Sequence, residues 1–164
     1  SVTLSPYLGF ESLRPALDAA ITNQRGTFVL ALTSNPEGKS VQHVGKAEDT
    51  GAVAKQVIAA ATAENTAQTW ERMGSCGLVV GATVGEALKE LAIDLSIFNG
   101  PILSPGYGAQ GASAEDLYRI FAGVESQVLV NSSRGVLSAG PQPTDLARAA
   151  QSARDDLVRA RGTS

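Results

Sequence analysis

The chain has 164 residues, 43% hydrophobic and 18% charged, which is typical of one globular domain with a core of its own. Its net charge of −3, without a run of Lys or Arg, argues against a nucleic-acid partner, and one cysteine with one histidine excludes a disulfide framework and a zinc site. No apolar run approaches the roughly 20 residues of a membrane span and no leader pattern is present, so we expect a cytoplasmic protein without membrane contact.

Short apolar segments alternate with amphipathic ones along the chain. The pattern predicts five strands, at Val2–Ser5, Phe28–Leu32, Gly77–Gly81, Ile102–Leu103 and Val128–Val130. It predicts five helices, over Ser12–Ile21, Ala52–Met73, Glu86–Leu91, Ala114–Ala122 and Asp145–Arg161. Because parallel neighbours need a crossover helix, this alternation indicates an α/β protein with a parallel sheet. An open doubly wound sheet and five-eighths of an eight-stranded barrel both fit it.

Two segments that follow consecutive strands predict a phosphate site. Ser104–Gly111 (SPGYGAQG) comes after the fourth strand and Asn131–Gly135 (NSSRG) after the fifth. Glycines let backbone N–H groups approach an anion closely, and a guanidinium can grip its oxygens through two parallel hydrogen bonds. In parallel barrels the loops after the seventh and eighth strands form the recurrent phosphate site. The alternative is that Arg134 pairs with a surface carboxylate.

The strand-end segments, taken in order, resemble those of the orotidine 5′-phosphate decarboxylases, in particular their longer-chain bacterial branch. The matching segments are Thr3–Gly9, Val29–Pro36, Gly77–Thr83, Ser104–Gly111 and Asn131–Gly135. The resemblance implies a (β/α)8 TIM barrel, of which this chain supplies about the last five βα units, strands four to eight. Residues 1–164 would then be a single domain, the C-terminal part of the barrel, with strands one to three outside this sequence.

The resemblance also implies a chemistry. Members of the family are lyases that convert orotidine 5′-monophosphate to uridine 5′-monophosphate and CO2, the last step of de novo pyrimidine synthesis. They use no cofactor and no metal, their ligand is a nucleotide, and they act as dimers. We therefore expect a cofactor-independent decarboxylase of UMP biosynthesis that forms a homodimer.

The resemblance assigns phosphate binding to the last two loops. Arg134 matches the arginine that binds the phosphate, and Gln110 matches the glutamine of the closing loop that reaches it. The loop backbone at Gly106, Gly108 and Gly111 would supply further donors.

Two more residues match positions beside the base. Ser34 corresponds to the serine that hydrogen-bonds the pyrimidine, and Pro105 to an apolar contact near it. By itself, the segment around Ser34 would be interpreted as a capped turn.

The family's catalytic motif, Asp-x-Lys-x-x-Asp, does not occur in these 164 residues. None of the four lysines, at positions 39, 46, 55 and 89, has the required aspartates around it. No catalytic residue can therefore be named in this sequence. Two alternatives to the decarboxylase stay open: a non-catalytic fragment that binds a nucleotide phosphate, and a sugar-phosphate decarboxylase or aldolase on the same barrel.

Several other residues carry structural expectations. Cys76, beside a buried strand, is predicted to fill the core. Trp70 and Met73, three residues apart, are predicted to form the packing face of the long second helix. Asp155 and Asp156 are expected on the solvated face of the last helix, for which Thr144 and Gly162 would be the caps.

Overall fold

The computed structural model describes residues 1–45 and 51–161, and its centre is one parallel sheet of five strands. The strands are β1 (Val2–Leu4), β2 (Thr27–Leu32), β3 (Cys76–Val80), β4 (Ile102–Pro105) and β5 (Val128–Asn131). The helices are α1 (Arg14–Thr22), α2 (Lys39–Gln42), α3 (Val53–Thr66), α4 (Gly85–Glu90), α5 (Ala114–Ile120), α6 (Ser133–Leu137) and α7 (Pro143–Arg161). All five predicted strands and five predicted helices are found, with α2 and α6 in addition.

The order of the strands separates the two architectures that the sequence left open. Neighbouring strands are consecutive throughout, β1-β2-β3-β4-β5, and every pair is parallel. A doubly wound sheet reverses its strand order at a switch point, whereas a barrel wall adds each new strand beside the last. The described strands show the barrel pattern.

The core lies between the sheet and the helices. Val29, Leu78 and Ile102 are register partners on three successive strands, and each is 0% exposed. Complete burial of such a side chain contributes roughly 1.5–3 kcal/mol relative to exposure. Helix α3 packs on β2 and β3, where Val57 and Ile58 enter the same core.

The two outer strands are the exposed part of the sheet. Val2 of β1 is 55% exposed and Leu129 of β5 is 52% exposed, although both are apolar strand residues. Among the described strands, β1 and β5 each have only one neighbour. The two outer strands are therefore the edges of the sheet in this part of the chain.

Helix α3 is shorter than the sequence predicts, and Asn65 supplies the reason. Its side chain leaves the helix to bond β3: Nδ2 donates to the Cys76 carbonyl at 2.8 Å, and the Cys76 N–H donates to Oδ1 at 3.1 Å. The Trp70 indole N–H donates to the Asn65 carbonyl at 2.8 Å, which folds the chain back after Thr66. Trp70 and Met73 therefore lie in the following turn, and their assignment to the helix was wrong.

The N-terminal cap assigned to α7 was also wrong. The helix begins at Pro143, so Thr144 lies inside its first turn. Proline is well suited to the first helical position, because that position needs no N–H donor. The predicted C-terminal cap, Gly162, lies outside the described residues.

The thiol of Cys76 is 2% exposed, which confirms that it fills the core, and burial raises its pKa to about 11. Since only the thiolate is nucleophilic, we expect an aromatic disulfide reagent at pH 8 to leave Cys76 unmodified in the folded chain. Absorbance of the released thiol measures this, and the urea-unfolded chain, which should release one equivalent, is the control. Rapid release from the folded chain would contradict the buried position.

Within residues 1–45 and 51–161, no helix is long and apolar enough to cross a bilayer.

Candidate functional site

The carboxyl ends of β4 and β5 lie side by side, because Pro105 and Asn131 are register partners. The loops that follow these strands enclose a cleft of about 160 Å³. One wall carries Pro105, Gly106 and Gln110, and the other carries Ser132, Ser133 and Arg134. Four of the seven predicted site residues thus line one cleft.

The loop after β4 takes its shape from its glycines. Gly106, Gly108 and Gly111 have φ angles of 114°, 70° and 93°, which is the left-handed region that favours glycine. The Gly108 N–H donates to the Ala112 carbonyl and the Gly111 N–H to the Gly108 carbonyl, both at 2.9 Å. The N–H groups of Gly108 and Gly111, two of the three predicted glycine donors, are therefore bonded within the loop. These two glycines shape the loop rather than donate to a ligand.

Gln110 lies at the tip of this loop. Its side chain turns back over the loop, so that Oε1 would be 3.1 Å from a Cβ atom at Gly106. Its backbone N–H donates to no residue in the described part of the chain. Both the side-chain amide and this N–H are available to a ligand at the cleft.

Arg134 lies in α6, and its exposed guanidinium has no ion-pair partner among residues 1–45 and 51–161. Other arginines of the chain do pair: Arg14 bonds both carboxylate oxygens of Glu64, at 2.7 and 2.8 Å. The alternative that Arg134 serves a surface carboxylate finds no support in the described structure. Its two hydrogen-bonding edges are free for an anion in the cleft.

Ser34 does not line this cleft; it lies two strands away, at the end of β2. Its Oγ is buried and has no hydrogen-bond partner in the described structure. Buried hydroxyls are normally paired, so an orphaned one at the end of a strand marks a place where a ligand can bond. The end of β3 lies between Ser34 and the cleft. Just after β3, the Ala82 N–H donates to the Pro105 carbonyl of the cleft wall at 2.7 Å.

Gly81 sets the position of the Ser34 hydroxyl. A Cβ atom on Gly81 would lie 2.2 Å from Ser34 Oγ. We expect Gly81→Ala to lower the free energy of unfolding by roughly 1–3 kcal/mol, the usual cost of overpacking. Urea denaturation measures it. In the Ser34→Ala background the same substitution should cost clearly less; equal costs in both backgrounds would mean that the two residues do not compete for this space.

One contact of the loop was not found from the sequence. The Tyr107 hydroxyl donates to Asp156 Oδ2 of α7 at 2.6 Å. Burial, and then the Asp156 carboxylate, raise the pKa of Tyr107 to about 12, so the hydroxyl remains a donor at neutral pH. The expectation of a purely solvated Asp156 was wrong. Among the described residues, Asp155 pairs only with Arg154 on the surface. No local pattern could reveal a pair 49 residues apart.

Two larger grooves lie in the described part of the chain, one of about 710 Å³ beside α4 and α5 and one of about 770 Å³ beside α2 and α3. Neither contains Arg134 or the tip residue Gln110. Within the described ranges, no group of three or more His, Cys, Asp or Glu side chains could hold a metal ion. The small cleft after β4 and β5 is therefore the candidate site, because both Gln110 and Arg134 line it.

Comparison with known proteins places this geometry in a family. The family model "Orotidine 5′-phosphate decarboxylase / HUMPS family" matches residues 1–150. The chain is 49% identical over 150 residues to the orotidine 5′-phosphate decarboxylase of Streptomyces coelicolor and 47% identical over 150 residues to that of Salinispora arenicola, covering 92% of this chain in each case. Since these relatives carry the decarboxylase name, neither alternative function is favoured.

Solved structures agree. A Streptomyces avermitilis protein, provisionally named orotidine 5′-phosphate decarboxylase in its crystal structure, superposes with a TM-score of 0.85 at 47% identity, covering 96% of this chain and 53% of that one. The Leishmania donovani OMP decarboxylase superposes with a TM-score of 0.66 at 26% identity, covering 97% and 56%. The predicted barrel architecture, with about five βα units in this chain, is confirmed.

The match covers only part of each relative's sequence. The chain spans 51% of the length of the Streptomyces coelicolor and Salinispora arenicola proteins. Nearly all of this chain is nevertheless covered, 92% in both cases. The chain belongs to the orotidine 5′-phosphate decarboxylase / HUMPS family.

Proposed function

We propose that this chain forms the phosphate- and pyrimidine-binding part of an orotidine 5′-phosphate decarboxylase. Such an enzyme is a lyase that converts orotidine 5′-monophosphate to uridine 5′-monophosphate and CO2 in pyrimidine synthesis. The observation that carries the proposal is the cleft at the ends of β4 and β5, which is lined by both Gln110 and Arg134. Arg134 has no ion-pair partner in the part of the chain that the structure describes. The names of the relatives support the same activity.

The phosphate would bind between the two walls of the cleft. Arg134 would grip two phosphate oxygens with its planar fork of N–H donors. Gln110 would donate from the loop tip through its side-chain amide and its free backbone N–H. The loop backbone from Gly106 to Gly111 surrounds the same anion, with Gly108 and Gly111 holding the left-handed turns that let it approach.

The base would lie toward β2. Ser34 has the orphaned hydroxyl that a pyrimidine carbonyl or N–H would satisfy, and its burial makes that bond selective. Pro105 begins the cleft wall and offers an apolar surface on the path between Ser34 and Arg134. The nucleotide would thus extend across the ends of β2, β3, β4 and β5, in strand order.

The chemical step requires groups that these 164 residues do not include. The family resemblance assigns it to an Asp-x-Lys-x-x-Asp motif, and this chain has none. We propose that residues 1–164 are the C-terminal domain part of the barrel and that the motif belongs to the remaining strands. The present residues would contribute by binding the remote phosphate, whose binding energy closes the loop and organises the reacting end.

The remaining features of the family complete the proposal. The protein would act in the cytoplasm, need neither cofactor nor metal, and assemble as a homodimer. Its partner would be a small nucleotide rather than nucleic acid or a membrane, in keeping with its net charge of −3.

Calorimetric titration with uridine 5′-monophosphate and with uridine tests the proposed function. We expect the nucleotide to bind at least about 100-fold more tightly than uridine, because charge-assisted hydrogen bonds to the phosphate contribute several kcal/mol. Inorganic phosphate should compete with the nucleotide. Equal affinities for the two ligands, or no binding of the nucleotide, would contradict a phosphate site in the cleft.

A further inference from the structure

The side chain of Tyr107 links the loop after β4 to helix α7. The tip of the loop, residues 108–111, is exposed, and Cβ atoms at Gly108 and Gly111 would meet nothing within 4 Å. A side chain at either of these two tip positions would therefore find no neighbour to pack on. Tyr107, at the base of the tip, is half-buried and packs against the core together with Leu157 of α7.

The Tyr107 hydroxyl reaches helix α7 beyond the loop. It donates to Asp156 Oδ2 at 2.6 Å, and Asp156 is also 3.7 Å from the guanidinium of Arg159 one turn later. Helix α7 itself packs on α5 and α6, the helices that follow β4 and β5. The Asp156 carboxylate that bonds Tyr107 therefore lies on a helix that packs against the helices on both sides of the cleft.

Tyr107 also adjoins the wall that carries Arg134. Ser132 Oγ approaches the Tyr107 backbone carbonyl at 3.5 Å, and a Cβ atom on Gly135 would lie 2.6 Å from the same Oγ. Tyr107 therefore belongs to the loop and contacts both Ser132, beside Arg134, and helix α7.

We propose that Tyr107 and Asp156 are positioning residues of the phosphate cleft, and that their hydrogen bond holds the loop at the distance from Arg134 that a phosphate requires. The inference rests on the proposed phosphate site and deepens it. Without the bond, the loop keeps its sequence and its glycines but must be ordered by the ligand. That ordering cost appears as lost affinity for the phosphate end of the nucleotide.

The test uses the full chain with uridine 5′-monophosphate as the probe. Tyr107→Phe removes only the hydroxyl, and we expect it to weaken nucleotide binding about tenfold, as for one charge-assisted hydrogen bond. Asp156→Ala should have the same effect, and the double variant should be no weaker than either single one. Asp156→Asn keeps a carbonyl acceptor and should restore most of the affinity.

Two further measurements separate positioning from general stability. Asp155→Ala, the matched control on the same helix, should leave nucleotide affinity unchanged, because Asp155 pairs with Arg154 alone within residues 1–45 and 51–161. Uridine affinity should be unchanged in Tyr107→Phe, whereas a purely structural defect would weaken both ligands. If the unmodified chain binds the nucleotide and Tyr107→Phe binds it equally well, this inference falls and the proposed function stands. If the unmodified chain does not bind it, both fall.

Discussion

Arg134→Ala is expected to weaken the binding of uridine 5′-monophosphate by about 2–4 kcal/mol, which is the cost of truncating one partner of a hydrogen-bonded charge pair. The guanidinium has no described carboxylate partner to lose, so the effect should fall on the ligand and not on folding. Calorimetric titration measures the affinity, and the free energy of unfolding should change by less than about 0.5 kcal/mol.

Two variants calibrate this result. Arg134→Lys keeps the charge but loses the planar fork, so an intermediate affinity is expected. Arg148→Ala removes an exposed arginine that pairs with Asp145 on α7, and it should leave the affinity unchanged. A loss below about 0.5 kcal/mol in Arg134→Ala, the ordinary range for surface substitutions, would remove Arg134 from the site.

Asn65→Ala is expected to lower the free energy of unfolding by about 2–4 kcal/mol. The substitution removes both hydrogen bonds to the backbone of Cys76, and it leaves a buried N–H and a buried C=O without partners. Each unsatisfied buried group costs roughly 1–3 kcal/mol. Urea denaturation followed by circular dichroism measures the change.

The matched control for Asn65 is another asparagine of the chain. Asn23 donates from Nδ2 to the Ala19 carbonyl at the exposed end of α1, and Asn23→Ala should cost less than about 0.5 kcal/mol. Similar costs for the two substitutions would mean that the link between α3 and β3 adds nothing beyond an exposed hydrogen bond.

The positions of the strands could be predicted because each is a short apolar segment between polar turns. The end of α3 could not, because its cause is the side chain of Asn65 bonding a strand eleven residues later. Residues 67–73 (AQTWERM) still include Ala, Gln, Glu, Arg and Met, which favour a helix, and tertiary hydrogen bonds override that local preference. The start of α7 was misassigned for a different reason. Thr144 is a good N-cap residue, but Pro143 is well suited to the first helical position, and the sequence does not decide between them.

Some features of the candidate site could be predicted from the sequence and others could not. Pro105, Gln110 and Arg134 could be brought together from sequence because the carboxyl ends of neighbouring parallel strands meet at one edge. The internal bonds of Gly108 and Gly111 could not be foreseen, since a glycine-rich loop either donates to a ligand or closes on itself. The Tyr107–Asp156 bond needs the packing of α7, which no local pattern specifies.

A crystal structure of the chain with uridine 5′-monophosphate would locate the phosphate and the base in one measurement. We expect the phosphate between Gln110 and Arg134, with its oxygens about 2.7–2.9 Å from the guanidinium nitrogens, and the pyrimidine within hydrogen-bond distance of Ser34 Oγ. A phosphate bound in either larger groove, or a nucleotide whose base lies away from Ser34, would show that the cleft is not the nucleotide site.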